Sequence, residues 1–155
     1  SQGYDNSYFV ISTNVGETMK PLWQVASGGE LSRIMLAMKS CLADVDNIET
    51  LIFDEIDAGI SGKTAWKVSE KLDVLGKHHQ VICITHLPQI AAMADHHFMI
   101  EKEQTAERTK TTLTALDGKG MLGEIARLLG GDTITDATLS NAHELKEMAI
   151  HAKQY

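Results

Sequence analysis

The run Thr50-Leu51-Ile52-Phe53-Asp54-Glu55-Ile56-Asp57 (TLIFDEID, residues 50–57) decides how this chain is read. Its first half is short, apolar and free of turn residues, and it ends in acid. That is the pattern of a strand buried on both faces. Downstream, Ala65, Val68, Leu72 and Leu75 recur at helical spacing, and Gly76 closes the segment. Residues 80–85 (QVICIT) repeat the buried-strand pattern. A short helix is expected over 87–94, with Pro88 in its first turn, and a third strand over 97–101 (HFMIE). Strand, helix, strand, helix, strand with short connections predicts parallel βαβ units. The fold class is therefore α/β, a mainly parallel sheet covered by helices. In such sheets ligands collect beyond the carboxyl ends of the strands. The positions after Phe53, after Thr85 and at the helix starts are the places to look for chemistry.

Outward from this centre the chain stays regular. Residues 1–6 are polar and read as a trimmed linker; residues 7–13 (SYFVIST) are β-rich, and 14–20 read as a loop. From Leu31, the residues Ile34, Met35, Met38, Cys41 and Leu42 fall at helical spacing, an amphipathic helix of about four turns. Residues 109–116 predict a fourth strand, hairpin-paired with the third. Asp117-Gly118-Lys119-Gly120 reads as a turn, and helices are expected near 121–129 and over 135–152. Met35, Met38, Trp66 and Met93 are expected in the core. No internal repeat is visible, and residues 1–155 are expected to form a single domain.

Composition narrows the function classes. Fourteen basic against 21 acidic side chains give a net charge of −7, and 43% of residues are hydrophobic. That is enough apolar material for a core and excludes a disordered acidic tail. The charge disfavours a general DNA-coating surface, which would have to neutralise many phosphates. No apolar run approaches the roughly 18–20 residues of a membrane helix, and the start has no signal-peptide pattern. Cys41 and Cys83 make no disulfide framework and are expected as buried free thiols in a reducing cytoplasm.

Three clusters have chemical potential. Ser27-Gly28-Gly29-Glu30 precedes the Leu31 helix. Serine and glutamate at that spacing form a capping box. The two glycines are not explained by capping; they would let an anion reach bare backbone N–H groups at the positive end of a helix. Asp54-Glu55 ends a buried strand, where one acid can hold Mg²⁺ through water and the other can activate a water molecule. His86 follows the second strand, at the same sheet edge, where it can donate to a terminal phosphate.

Other motifs fail on spacing. Gly59-Ile60-Ser61-Gly62-Lys63-Thr64 imitates a phosphate-binding loop, but Asp57 stands where the first glycine of G-x-x-x-x-G-K-[ST] belongs. Lys63 and Thr64 are better read as the start of a helix. His143-Glu144 lacks the second histidine of a zinc helix, since Glu147 occupies that place. Asp95-His96-His97 would point its adjacent side chains apart as a strand begins.

Taken together, the order of these clusters resembles that of the ATP-binding-cassette ATPases: signature, Walker B, D-loop, switch histidine. The runs ASGGELSRIMLAMK (residues 26–39), LIFDEIDAGISG (51–62), ITHLPQIAAMADHHFMIEK (84–102) and LLGGDTITDATLSNAHEL (128–145) are similar to bacterial DNA-repair members of the structural-maintenance-of-chromosomes-like group. The resemblance covers nearly the whole chain from about residue 8. It implies the carboxyl-terminal lobe of an ATPase head, with ATP and Mg²⁺ as ligands. It further implies that Ser27, Gly28 and Gly29, with Glu30 beside them, contact the γ-phosphate of ATP held by an opposite protomer. Asp54 matches the Mg²⁺-serving acid, Glu55 the catalytic base, Asp57 the D-loop residue at a dimer seam, and His86 the switch histidine.

One departure matters: no Walker A loop is present. The resemblance therefore implies a partner lobe, the amino-terminal Walker A half of the same protein, and a second head in a homodimer. It implies DNA as a partner of the whole protein in double-strand-break repair, no membrane, and a cytoplasmic, nucleoid-associated location. The chain alone is expected to hydrolyse essentially no ATP. Two rival readings stand beside this one: a non-catalytic dimerisation module gated by nucleotide, and an independent P-loop NTPase using Lys63.

Overall fold

The computed structural model describes residues 3–12, 15–25, 27–42, 47–104, 108–131 and 133–154. Expectations that touch Ser1, Gln2, Thr13, Asn14, Ala26 and Asp132 fall outside the described residues. The architecture is mixed α/β, with six helices and three two-stranded sheets among the described residues. A minimal antiparallel pair opens it, β1 (Val10–Ile11) and β2 (Lys20–Pro21), followed by one helical turn, α1 (Leu22–Val25). Tyr8 stacks edge-on against Trp23 there, with ring centroids 5.3 Å apart.

The central unit is α2 (Gly28–Leu42), β3 (Thr50–Phe53), α3 (Gly62–Gly76) and β4 (Gln80–Cys83). β3 and β4 run parallel, with Ile52 opposite Ile82 and Phe53 opposite Cys83. This is one βαβ unit, as the apolar patterns predict. The expectation of strands buried on both faces fails, however. Leu51 and Phe53 are buried, whereas Ile52 is 67% exposed. The physical reason is that α2 and α3 both cover the same side. Leu36, Leu51, Phe53, Ile56, Val68, Leu72, Leu75 and Ile90 form one cluster, and the opposite face carries Ile52, Ile82 and Ile84 in the open.

Helix α2 departs from its apolar stripe in the same way. Leu31, Met35 and Leu42 are exposed. The helix turns inward a different line at spacings of four, three and four: buried Gly29, half-buried Arg33, buried Leu36 and half-buried Ser40. Cys41 is therefore exposed rather than buried, and Cys83 is half-buried; both are free thiols. Of the four residues expected in the core, Met93 is buried, Met38 and Trp66 are half-buried, and Met35 is exposed.

Beyond β4 the expected mainly parallel sheet does not continue among the described residues. A short helix, α4 (Pro88–Met93), packs on α3, and then β5 (His97–Gln104) pairs antiparallel with β6 (Thr109–Leu116) over eight residue pairs. The hairpin was expected; membership of its first strand in the parallel sheet was not met. A neighbouring strand in sequence satisfies the β5 ladder locally, and His97 Nε2 lies 2.7 Å from Ala91 O, tying the strand to α4. The last two helices are α5 (Gly118–Gly130) and α6 (Asp136–Ala152). The Asp117 turn is itself the cap of α5, with Oδ1 accepting from Gly120 N at 2.7 Å. Ala91, Ala92, Met93, Ile125, Ala126, Ala142 and Ala149 make a second buried cluster. Lys146 Nζ reaches into it and donates to Ala92 O and Ala94 O, satisfying carbonyls at the end of α4. No described helix is long and apolar enough to cross a membrane.

Candidate functional site

The loop after β3 and the start of α2 are built against each other. Ser32 Oγ donates to Asp54 O at 2.7 Å. Arg33 Nη1 donates to Ile56 O at 3.0 Å and to Ala58 O at 2.9 Å. The turn is closed internally by Ala58 N donating to Glu55 O, 3.0 Å. Glu55 has φ +56°, the only left-handed non-glycine among the described residues. Such backbone costs on the order of 1 kcal/mol and persists only where the surroundings fix it.

The Ser27 capping box is present in both directions. Ser27 N donates to Glu30 Oε2 at 2.9 Å, and Glu30 N to Ser27 Oγ at 3.4 Å. The N–H groups of Gly28 and Gly29 have no partner within the helix, by the geometry of any helix start. What the glycines admit in this structure is the chain's own loop. A Cβ on Gly29 would fall 2.7 Å from Glu55 O and 2.8 Å from the Ala58 Cβ, and a Cβ on Gly28 would collide with Glu55 Oε2. The space that the two glycines leave, expected to admit an anion, is occupied on this side by residues 55–58 of the same chain.

The other acids separate into two environments. Asp54 is exposed; its Oδ1 accepts from Glu55 N at 2.8 Å. Asp57 is 3% exposed. Its Oδ2 accepts from Thr85 Oγ1 at 2.6 Å and from His86 N at 2.8 Å, and it lies 3.1 Å from His86 Nδ1. Thr85 Oγ1 in turn accepts from Leu87 N at 3.0 Å. The two acidic side chains act on Cys83 as well: burial first, then Asp57 and Asp54, pushes its thiol up to about 12, so it stays protonated.

Ser27 to Glu30, Asp54 and Glu55 are therefore brought together, and Asp57 joins this loop to His86 at the end of β4. Sequence reading missed Ser32, Arg33 and Thr85, the side chains that hold the parts in place. Ser32 and Arg33 follow the capping box directly, and Thr85 precedes His86; no spacing rule marks them. Lys63 stands exposed in the first turn of α3, and Asp57, in the place of a phosphate loop's first glycine, turns inward. Among the described residues, no group of three His, Cys, Asp or Glu is placed to hold a metal ion; His97, from one of the rejected motifs, is buried against Ala91 O.

Comparison with known proteins gives a consistent set of relatives. The chain is 51% identical over 143 residues to the DNA repair protein RecN of Treponema pallidum, and 47% identical over 152 residues to RecN of Bacillus subtilis. The chain is homologous to RecN. A third relative, RecN of Vibrio cholerae, is 47% identical over 143 residues. These matches cover 92%, 98% and 92% of this chain but only 25% to 26% of the RecN proteins, so the chain spans about a quarter of their length. A match of 152 out of 155 residues necessarily contains residues 27–86, so the whole candidate site lies inside the RecN likeness. No protein-family model matches the chain.

Proposed function

We propose that this chain is the carboxyl-terminal lobe of the ATP-hydrolysing head of a RecN-like DNA-repair protein, and that it supplies part of a shared ATP site. The supporting observation is the convergence of a glycine-bearing helix start, an Asp-Glu strand end and a histidine loop, joined by Ser32, Arg33 and Asp57.

The residues present fit part of such a site. The start of α2 favours an anion by about 0.3–2 kcal/mol. Exposed Gly28 would offer its backbone donor, and Gly29, buried under residues 55–58, would offer its own only once that loop shifts. Asp54 offers one exposed carboxylate, suited to Mg²⁺ that keeps most of its water. Mg²⁺ bound there would draw charge from phosphate oxygens. The signature residues Ser27 to Glu30 would serve ATP held by a second head. Glu55 would take a proton from the attacking water, a role that typically contributes about 10²–10⁴-fold. His86 would hydrogen-bond the terminal phosphate, and Asp57 would lie at the seam between heads. Glu55 now rests against Gly28, so its carboxylate must leave that place before it can act on water. The phosphate-cradling lysine loop would come from the amino-terminal lobe of the same protein. Opening and closing of paired heads would grip DNA during double-strand-break repair, in the cytoplasm at the nucleoid.

The test is Glu55→Gln in the full-length protein. Turnover of ATP should fall by at least about 10²-fold while ATP-bound dimers accumulate, read by phosphate release and by sedimentation. Wild-type turnover in that variant rejects the reading. Lys63→Ala should leave nucleotide binding intact; its loss would favour an independent P-loop site.

A further inference from the structure

We propose that Asp57 and Thr85 are positioning residues that fix the ring of His86 within the same chain, with Nδ1 turned inward and Nε2 presented outward. This rests on the reading of His86 as the group that meets a terminal phosphate, but its geometric content stands alone. One oxygen, Asp57 Oδ2, gathers Thr85 Oγ1, His86 N and His86 Nδ1 at 2.6, 2.8 and 3.1 Å. The carboxylate is almost wholly buried, whereas the His86 side chain is 72% exposed. A buried acceptor holding an exposed ring from below is the arrangement that orients an imidazole and selects its tautomer.

Each partner is itself held. Arg33 binds the carbonyls on either side of Asp57, those of Ile56 and Ala58, and Ile60 N donates to Asp57 O at 3.3 Å. Thr85 donates to Asp57 and accepts from Leu87 N, so one hydroxyl closes the turn that leads into α4. These bonds fix the backbone of residues 85–87, and the ring itself is held by its one contact with Asp57 Oδ2. Asp57 Oδ2 already accepts from two donors, so of the two neutral tautomers only Nδ1–H makes the third contact; Nε2 then faces solvent and donates to a phosphate oxygen only when it carries a proton as well. Asp57 thereby acts in cis on the histidine, a role distinct from a contact across a dimer seam.

The experiment is nitrogen-15 NMR of histidine-labelled chain at a pH where His86 is neutral, with kinetics of the full-length protein alongside. In the wild-type chain His86 should be found as the Nδ1–H tautomer. Asp57→Asn should convert it to a mixture of tautomers, and Thr85→Val should do so partially, while Thr85→Ser should restore the wild-type signal. Should Asp57→Asn not fold, the Thr85 pair decides alone: equal spectra for Thr85→Val and Thr85→Ser overturn the proposal. A wild-type His86 carrying its proton on Nε2, or an Asp57→Asn spectrum identical to wild type, also overturns it. In the full-length protein, Asp57→Asn should lower kcat for ATP about 10–100-fold with a smaller change in KM, as misplacement of a reacting group does. Unchanged kcat in an active enzyme counts against it. If the full-length protein turns over no ATP at all, the tautomer result still judges the positioning, and only the ATPase reading falls.

Discussion

At Gly29 the smallest possible side chain separates two layers of backbone. A methyl group there would press on Glu55 O at 2.7 Å and on the Ala58 side chain at 2.8 Å, and neither neighbour is the free end of a flexible chain. Gly29→Ala should therefore destabilise the chain by about 1–3 kcal/mol, the usual range for overpacking. The check is the urea midpoint; an unchanged midpoint would show that residues 55–58 can retreat. The two glycines also mark how far a sequence can be read at this scale. Their spacing with Ser27 and Glu30 announced a capped helix start, and the cap is present; the place expected for an anion is taken up by the chain's own residues 55–58. What approaches was not readable, because the contact with Glu55 joins residues 26 or more positions apart. Arg33 shows the same limit. A lone arginine on a helix gives no hint that its guanidinium will bridge two loop carbonyls 23 and 25 positions away.

Among the elements, β5 is the one with its first residue anchored by a buried histidine. His97 Nε2 meets Ala91 O, and burial holds the ring below its ordinary pKa of 6.5, more strongly than that carbonyl raises it. The unfolded chain therefore takes up a proton at this position before the folded chain does. Stability from this group is present above pH 6.5 and is lost as pH falls from there toward the lower folded value. His97→Gln should flatten the fall in urea midpoint between about pH 7.5 and 5 relative to wild type; parallel curves for the two proteins would refute the assignment. From α2 onward the elements were well marked in the sequence, whereas β2 and α1 were not foreseen and the strand expected over 7–13 is only the two residues of β1. The helix over 135–152 appears as α6, capped at Thr135 by reciprocal bonds with Thr138, and the hairpin of β5 and β6 appears in full. Facing was less legible. Periodicity located an apolar stripe on α2, yet the helix buries the Gly29, Arg33, Leu36, Ser40 line. Polar groups of the adjacent loop needed partners, and an apolar stripe cannot supply them.

On the scale of the whole molecule, six residues of α4 hold two clusters together. Ile90 belongs to the cluster under the β3–β4 sheet, while Ala91, Ala92 and Met93 belong to the cluster with α5 and α6. Lys146 adds bonds from α6 to the end of the same helix. Ile90→Ala should cost about 2–5 kcal/mol. Hydrogen exchange should accelerate in α3 and in α6 together; acceleration confined to α3 would show that the clusters open independently. The βαβ centre was legible because two short apolar runs flank a periodic helix. The full sheet was not, since strand partnership depends on contacts that sequence patterns do not encode.

Ile52 and Ile82 sit side by side across the parallel strands with Ile84 close by, and all three face outward. Hydrocarbon laid out flat like this is sticky in concentrated solution. Purified by itself, the 155-residue polypeptide should cloud on concentration, brighten a polarity-sensitive dye, and yield more clear material once threonines replace those isoleucines.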